Sequence, residues 1–149
     1  MDLVLLKITL CHEVNLFANS LYDYKKNIGG WGIVLVYGTH VKELNGIVRD
    51  SSQHQACLMA ILEGLKALKR EGLQLHICSF STSVISPLEN HTRLKRKLDG
   101  EDTPGSELWK GILEILQNHT FRAEWVTKDS DNPYNARSIE LAKLYKSQI

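Results

Sequence analysis

The sequence predicts an α/β domain built on a mixed five-stranded sheet, an antiparallel meander of three strands followed by two parallel strands, flanked by helices. Three observations carry this. Strand-like runs fill the first third of the chain before any helical period appears. Helical and strand patterns alternate after that, which favours parallel pairing with helices on the sheet faces. The chain is 149 residues, 43% hydrophobic and 23% charged, the mix of one globular domain large enough to bury a core without disulfides or metals.

The elements follow in order. Leu3 to Leu10 is apolar and β-branched enough for an extra N-terminal strand, and Val14 to Ala18 is the next short candidate. Asn27-Ile28-Gly29-Gly30 reads as a turn, Trp31 to Tyr37 as a strand, and Val41 to Val48 as its return after the turn at Gly38-Thr39-His40. Leu58, Met59, Leu62, Leu65 and Leu68 mark one buried helical face; Ser51 or Ser52 is its cap and Gly72 follows its end. Leu73 to Ser79 is a strand, and Ser81 to Leu88 a brief helix limited by Pro87. Leu108, Ile112, Ile115 and Leu116 mark a helix led by Ser106, Phe121 to Val126 the last strand, and Tyr134 to Lys146 a last helix with Pro133 preset at its first turn. Trp31, Trp109 and Trp125 fall in apolar elements and are expected in helix–sheet packing.

Composition excludes several functions. Eighteen Lys and Arg against seventeen Asp and Glu give a formal charge of +1, which excludes a strongly basic nucleic-acid coat while leaving room for a local basic patch. Cys11, Cys57 and Cys78 form no C-x-x-C pair and read as free thiols of a reducing compartment. The acidic lead and early Lys7 do not fit a signal peptide, and no run approaches a membrane span, so the expected location is the cytoplasm. Cys57, Cys78, His54 and His76 are candidates for a soft metal site. Their spacing matches no common zinc pattern, so the cysteines are read as small buried hydrophobes and no metal is expected.

Taken together, several short segments resemble ribonuclease H of type 1 across nearly the whole chain. Phe17-Ala18-Asn19-Ser20 stands where the family has F-T-D-G-S, and Gly30-Trp31-Gly32 where it has G-Y-G or G-W-G. Ala56-Cys57-Leu58-Met59-Ala60 stands for M-E-L-M-A-A, and Leu108-Trp109, His119 and Glu124-Trp125-Val126 for L-W, H and E-W-V. Asn132-Pro133-Tyr134-Asn135-Ala136-Arg137 with Glu140-Leu141-Ala142 resembles H-P-E-N-E-R and D-E-L-A. The resemblance implies the RNase H-like sheet named above. It also implies a magnesium-dependent cleavage of RNA in RNA–DNA hybrids, in which four carboxylates and a loop histidine surround a pair of dications.

The departures fall on those very positions. Asn19, Cys57, Phe80 and Ile139 occupy the four carboxylate positions and Asp129 the loop histidine position. Asn19 offers a neutral oxygen, Cys57 a soft ligand, Phe80 and Ile139 none, so neither magnesium nor catalysis is expected. Phe80 and Ile139 are read as apolar fillings of a pocket that holds charge in the family. Asp23, Glu63, Asp129 and Asp131 are the acids from which a rebuilt site would have to come. Positions resembling substrate-side residues are His54, Asn135 and Arg137; Lys128 and the run Arg93, Lys95, Arg96, Lys97 complete a candidate phosphate-binding set, with a solvated loop as the alternative for the run. Three readings result: a catalytically degenerate domain that binds nucleic acid, a protein-interaction or self-association module, and a residual nuclease with relocated acids.

Overall fold

The computed structural model describes residues 13–90, 92, 95 and 105–148. The strand expected at Leu3–Leu10 and three of the four basic-run residues, Arg93, Arg96 and Lys97, lie outside these; Lys95 is described and exposed. The elements are β1 (Glu13–Asp23), β2 (Ile28–Tyr37), β3 (His40–Arg49), α1 (Gln53–Lys66), β4 (Gln74–Ser79), α2 (Thr82–Glu89), α3 (Ser106–Leu116), β5 (Thr120–Trp125), α4 (Pro133–Ala142) and a 3-10 turn (Lys143–Gln148). The sheet order is β3-β2-β1-β4-β5. β1 and β3 run antiparallel to β2, and β4 pairs parallel with both β1 and β5. The predicted mixed sheet is therefore present.

Strand alternation sorts the two faces. Leu16, Ala18, Ile33, Leu35, Leu75 and Ile77 turn to α1, α2 and α3, where they meet Leu58, Ile61, Ile85 and Ile112 in the main core. Phe17, Val34, Val36 and Cys78 turn to the other face and pack with Leu141 of α4. Cys57 belongs to the first cluster and Cys78 to the second, so the sheet separates the two thiols. The alternative of one soft metal site shared by Cys57 and Cys78 is therefore ruled out by the sheet.

Several boundaries differ from expectation for identifiable reasons. Ile28–Gly30 is strand, because Gly29 and Gly30 pair with Tyr22 and Leu21 of a β1 that continues to Asp23. The glycines are there for close approach: a Cβ on Gly30 would strike the Ala142 carbonyl, and one on Gly32 the Ser138 carbonyl. The G-W-G phrase thus lets α4 lie directly on β2. Ser52 is the cap of α1, its side chain accepting from Gln55 N–H at 3.1 Å. Pro87 sits inside α2, which continues to Glu89 rather than stopping at the proline. The last helix tightens after Ala142 into a 3-10 turn. Trp31 and Trp109 are buried as expected, but Trp125 is 51% exposed and its indole N–H donates to the Phe80 carbonyl at 2.9 Å.

Candidate functional site

The chemistry-bearing positions converge beyond the carboxyl end of β4, where β1 and α4 also meet. In α/β sheets this is where ligands are usually held. Asn19 leaves β1 on the α4 side and is fully buried. Its Oδ1 accepts from the Phe80 backbone N–H at 2.9 Å and from the Ser79 hydroxyl at 3.1 Å. A backbone N–H can only donate, so Oδ1 must face β4 and the amide nitrogen must face α4. There Nδ2–H donates to Asn135 Oδ1 at 3.0 Å and to Ser138 Oγ at 2.7 Å. Ser138 donates in turn to the Asn135 carbonyl at 2.7 Å, and Asn135 Nδ2–H reaches the Thr127 carbonyl at 3.3 Å. Among the described residues no buried side-chain nitrogen or oxygen lacks a partner. The result is a neutral, saturated hydrogen-bond network joining β1, β4 and α4.

Cys57 approaches this network from the α1 side. Its Sγ lies 3.4 Å from Ser79 Oγ and 3.8 Å from the Ala18 carbonyl. Because the Ser79 proton is used on Asn19, the thiol is the donor. Burial pushes its pKa up to about 11, the nearby serine hydroxyls opposing only in part, so at neutral pH it is an S–H and not a thiolate. Ile139, on α4, is buried. Phe80 corrects its expectation: the ring is only half buried, with Lys128 Nζ 5.5 Å from its centroid, so it forms a surface lip rather than a plug.

The four candidate acids do not gather here. Asp23 ends β1 and accepts from the backbone N–H groups of Lys25 and Lys26 at 2.9 and 3.2 Å. Glu63 pairs with Lys66 at 3.8 Å on α1. Asp129 is exposed on the turn after β5, and Asp131 lines a groove beside His76 on the α4 side of the sheet.

The substrate-side candidates separate as well. Asn135 is fully buried in the network, so it cannot touch a duplex; that expectation is corrected, since its helix position resembles the family's while its side chain points inward. Arg137 is partly exposed but holds Glu43 of β3 in a two-pronged pair at 2.8 and 3.0 Å. His54 is half buried, bonded to Ser83 at 2.9 Å and tilted against Trp109 with ring centroids 6.4 Å apart. Lys95 and Lys128 are exposed.

The residues that order this site were missed in part. Ser79 and Ser138 carry no signal by themselves; only the β1–β4 register and the seating of α4 on glycines bring them to Asn19. A second cluster was seen only in part: His76 and Cys78 were soft-metal candidates, but their partner is Glu124 rather than Cys57 and His54, the three donor atoms lying within 4.8 Å of one another. His76 and Cys78 are two apart on β4, which puts them on one face, but the pairing Cys78↔Glu124 is needed to add the third.

The strand order, the two-sided helix cover and this convergence define an α/β domain of the RNase H architecture. The RNase H family profile matches residues 12–146, and the chain belongs to that family. Ribonuclease H of Syntrophomonas wolfei is 33% identical over 137 residues, covering 88% of this chain and 94% of that protein. Ribonuclease H of Chlorobium luteolum is 37% identical over 137 residues, covering 88% and 93%. Among solved structures, a type 1 RNase H with the type 2 active-site motif superposes with a TM-score of 0.76 at 14% identity, over 91% of this chain and 72% of that one. The N-terminal RNase H domain of a Mycobacterium tuberculosis protein, solved as a maltose-binding-protein fusion, gives 0.72 at 15% identity, over 91% and 94%. No helix among the described residues is long and apolar enough to cross a membrane.

Proposed function

We propose that this RNase H-family domain binds nucleic acid, an RNA–DNA hybrid or another duplex, without cleaving it. One observation carries the reading: the buried amide of Asn19 has all its hydrogen bonds filled by neutral partners. Magnesium needs hard, anionic oxygens in octahedral array. The groups present are an amide oxygen already accepting twice, a protonated thiol, a ring and a sec-butyl group. That set does not fit a magnesium pair. Two dications about 4 Å apart repel by roughly 4 kcal/mol per product of unit charges at an effective dielectric near 20, and nothing in this set offsets it. Support for nucleic acid as ligand comes from the curated relatives, named as ribonucleases H, and from exposed Lys128 and Lys95.

The test is a labelled RNA–DNA hybrid followed by anisotropy at rising salt, then by gel after incubation with Mg²⁺ or Mn²⁺. Expected are binding at 50 mM salt that weakens steeply toward 200 mM, and an intact RNA strand. Cleavage abolished by Asp129→Asn would revive a relocated metal site, and no binding at 50 mM salt would end the nucleic-acid reading.

A second reading is self-association or a protein partner. β3 is an outer strand of ten residues with Val41 and Ile47 exposed, and such edges pair readily. Sedimentation equilibrium decides it: dimers that Val41→Lys dissociates support this reading, and a monomer throughout counts against it.

A further inference from the structure

The α4 face of the sheet is only half covered. α4 packs over β1, β2 and β3, and leaves β4 and β5 open beside the loop that leads into it. In that opening lie His76 and Cys78 from β4 and Glu124 from β5, remote in role from the Asn19 network. We propose that His76, Cys78 and Glu124 form a binding site for one Zn²⁺ ion.

Geometry and donor chemistry carry the proposal. Zinc sits about 2.0–2.3 Å from nitrogen, oxygen and sulfur ligands, so a tetrahedral ion needs donors roughly 3.3–3.8 Å apart. His76 Nε2 lies 3.5 Å from Cys78 Sγ and 2.7 Å from Glu124 Oε1. The first separation falls in that range, but the sulfur also lies 3.7 Å from Nδ1, over the face of the ring, so the thiol must turn about χ1 to meet an ion on Nε2. The second needs the carboxylate to swing, and Glu124 has room, its side chain being 54% exposed. A nitrogen, a sulfur and an oxygen are a borderline donor set that suits zinc and not magnesium. Three protein ligands leave the fourth position to water, and the adjoining groove of about 420 Å³ has space for it.

The imidazole is also held as metal-binding histidines are. His76 Nδ1 meets Asn15 Oδ1 at 2.8 Å, across the β1–β4 pair. When zinc takes Nε2, Nδ1–H donates to that oxygen; without the ion a proton lies between Nε2 and Glu124 Oε1, since two lone pairs do not meet at 2.7 Å. Without the ion, burial and the Glu124 carboxylate push the Cys78 thiol up to about 12, so it is neutral. On binding, zinc displaces the S–H proton and the proton between Nε2 and Glu124 Oε1 to solvent, the sulfur and Nε2 lone pairs go to zinc, and thiolate and carboxylate together balance the dication. The ion would tie β4 to β5, the outermost parallel pair.

Reduced protein titrated with Co²⁺, with Zn²⁺ then displacing it, tests this. Expected are one Co²⁺ per chain, a thiolate-to-cobalt charge-transfer band, its loss in Cys78→Ser and its retention in Cys57→Ser. Glu124→Gln alters an exposed side chain and so folds; it should weaken Zn²⁺ binding at least about tenfold, and Asn15→Leu about 10- to 100-fold. No charge-transfer band at millimolar Co²⁺, a band surviving Cys78→Ser, or unchanged zinc affinity in Glu124→Gln would each overturn the proposal.

Discussion

At the scale of the residue, Asn19 shows how one atom type fixes a site. Replacing its NH₂ by a carboxylate oxygen leaves Asn135 Oδ1 and Ser138 Oγ facing an anion, in a place with no cation and no solvent. Ser79 and Phe80 would still donate, and Asn135 and Ser138 would have to turn. Asn19→Asp should therefore cost about 3 kcal/mol of stability in urea unfolding at pH 7. Burial raises the folded pKa of the new carboxyl above its unfolded value. The penalty should be absent below about pH 4 and should grow as pH rises through the folded value. A variant as stable as the parent at pH 7 would show that the network tolerates charge.

At the scale of the element, α4 is positioned by two devices. One is the pair of glycines on β2. Gly32→Ala would press a methyl into the Ser138 carbonyl and Leu141, lifting the helix that carries Asn135 and Ser138. A loss of about 2–3 kcal/mol is expected, read as a lowered urea midpoint. The other is the Arg137–Glu43 pair, which holds the Glu43 carboxyl below its ordinary pKa through a two-pronged hydrogen bond. Both partners are exposed, so the pair adds little to stability. It does occupy a cation on the face where the family resemblance places the substrate. Glu43→Gln should release Arg137 from β3, leaving it only the looser 4.0 Å pair with Glu140, tighten hybrid binding at low salt and steepen the salt dependence by about one phosphate contact. Unchanged salt dependence would mean that Arg137 does not face the duplex.

These elements also show what could be read beforehand. The five strands, the capped helix at Ser52 and Pro133 at the start of α4 were legible, because periodicity and capping chemistry act locally. Ile28–Gly30 was misread as a turn, since glycine has two uses and only the arrival of α4, over 100 residues later, distinguishes them. Asn135 was placed on the substrate side for a similar reason. Its helix was visible, but its inward direction depends on Asn19 across the fold. Trp125 looked like core because its neighbours are apolar, yet β5 ends the sheet and leaves the ring half in solvent.

At the scale of the whole molecule, stability should be bounded on both sides by pH. Glu13 and Glu43 have lowered pKa values, chiefly through hydrogen bonds from Arg122 and Arg137. Their contribution is present above about pH 4.5 and fades as pH falls through the folded values. Cys57 and Cys78 have raised values, about 11 and about 12, chiefly through burial. Their contribution is complete below the unfolded value near 9 and is lost as pH climbs toward those numbers. Urea midpoints should form a plateau between these limits, and Cys57→Ala should flatten the alkaline fall. An alkaline limb unmoved by that change would place the titrating group elsewhere.

The closed network around Asn19 has an evolutionary consequence. A lineage that carries it stands behind a ratchet: an acid introduced alone at a buried position such as Asn19 or Cys57 weakens the fold before any partner charge exists to reward it. Building an acidic pocket here would need several coordinated changes, and libraries that introduce one buried acid at a time should be purged by selection for folding alone.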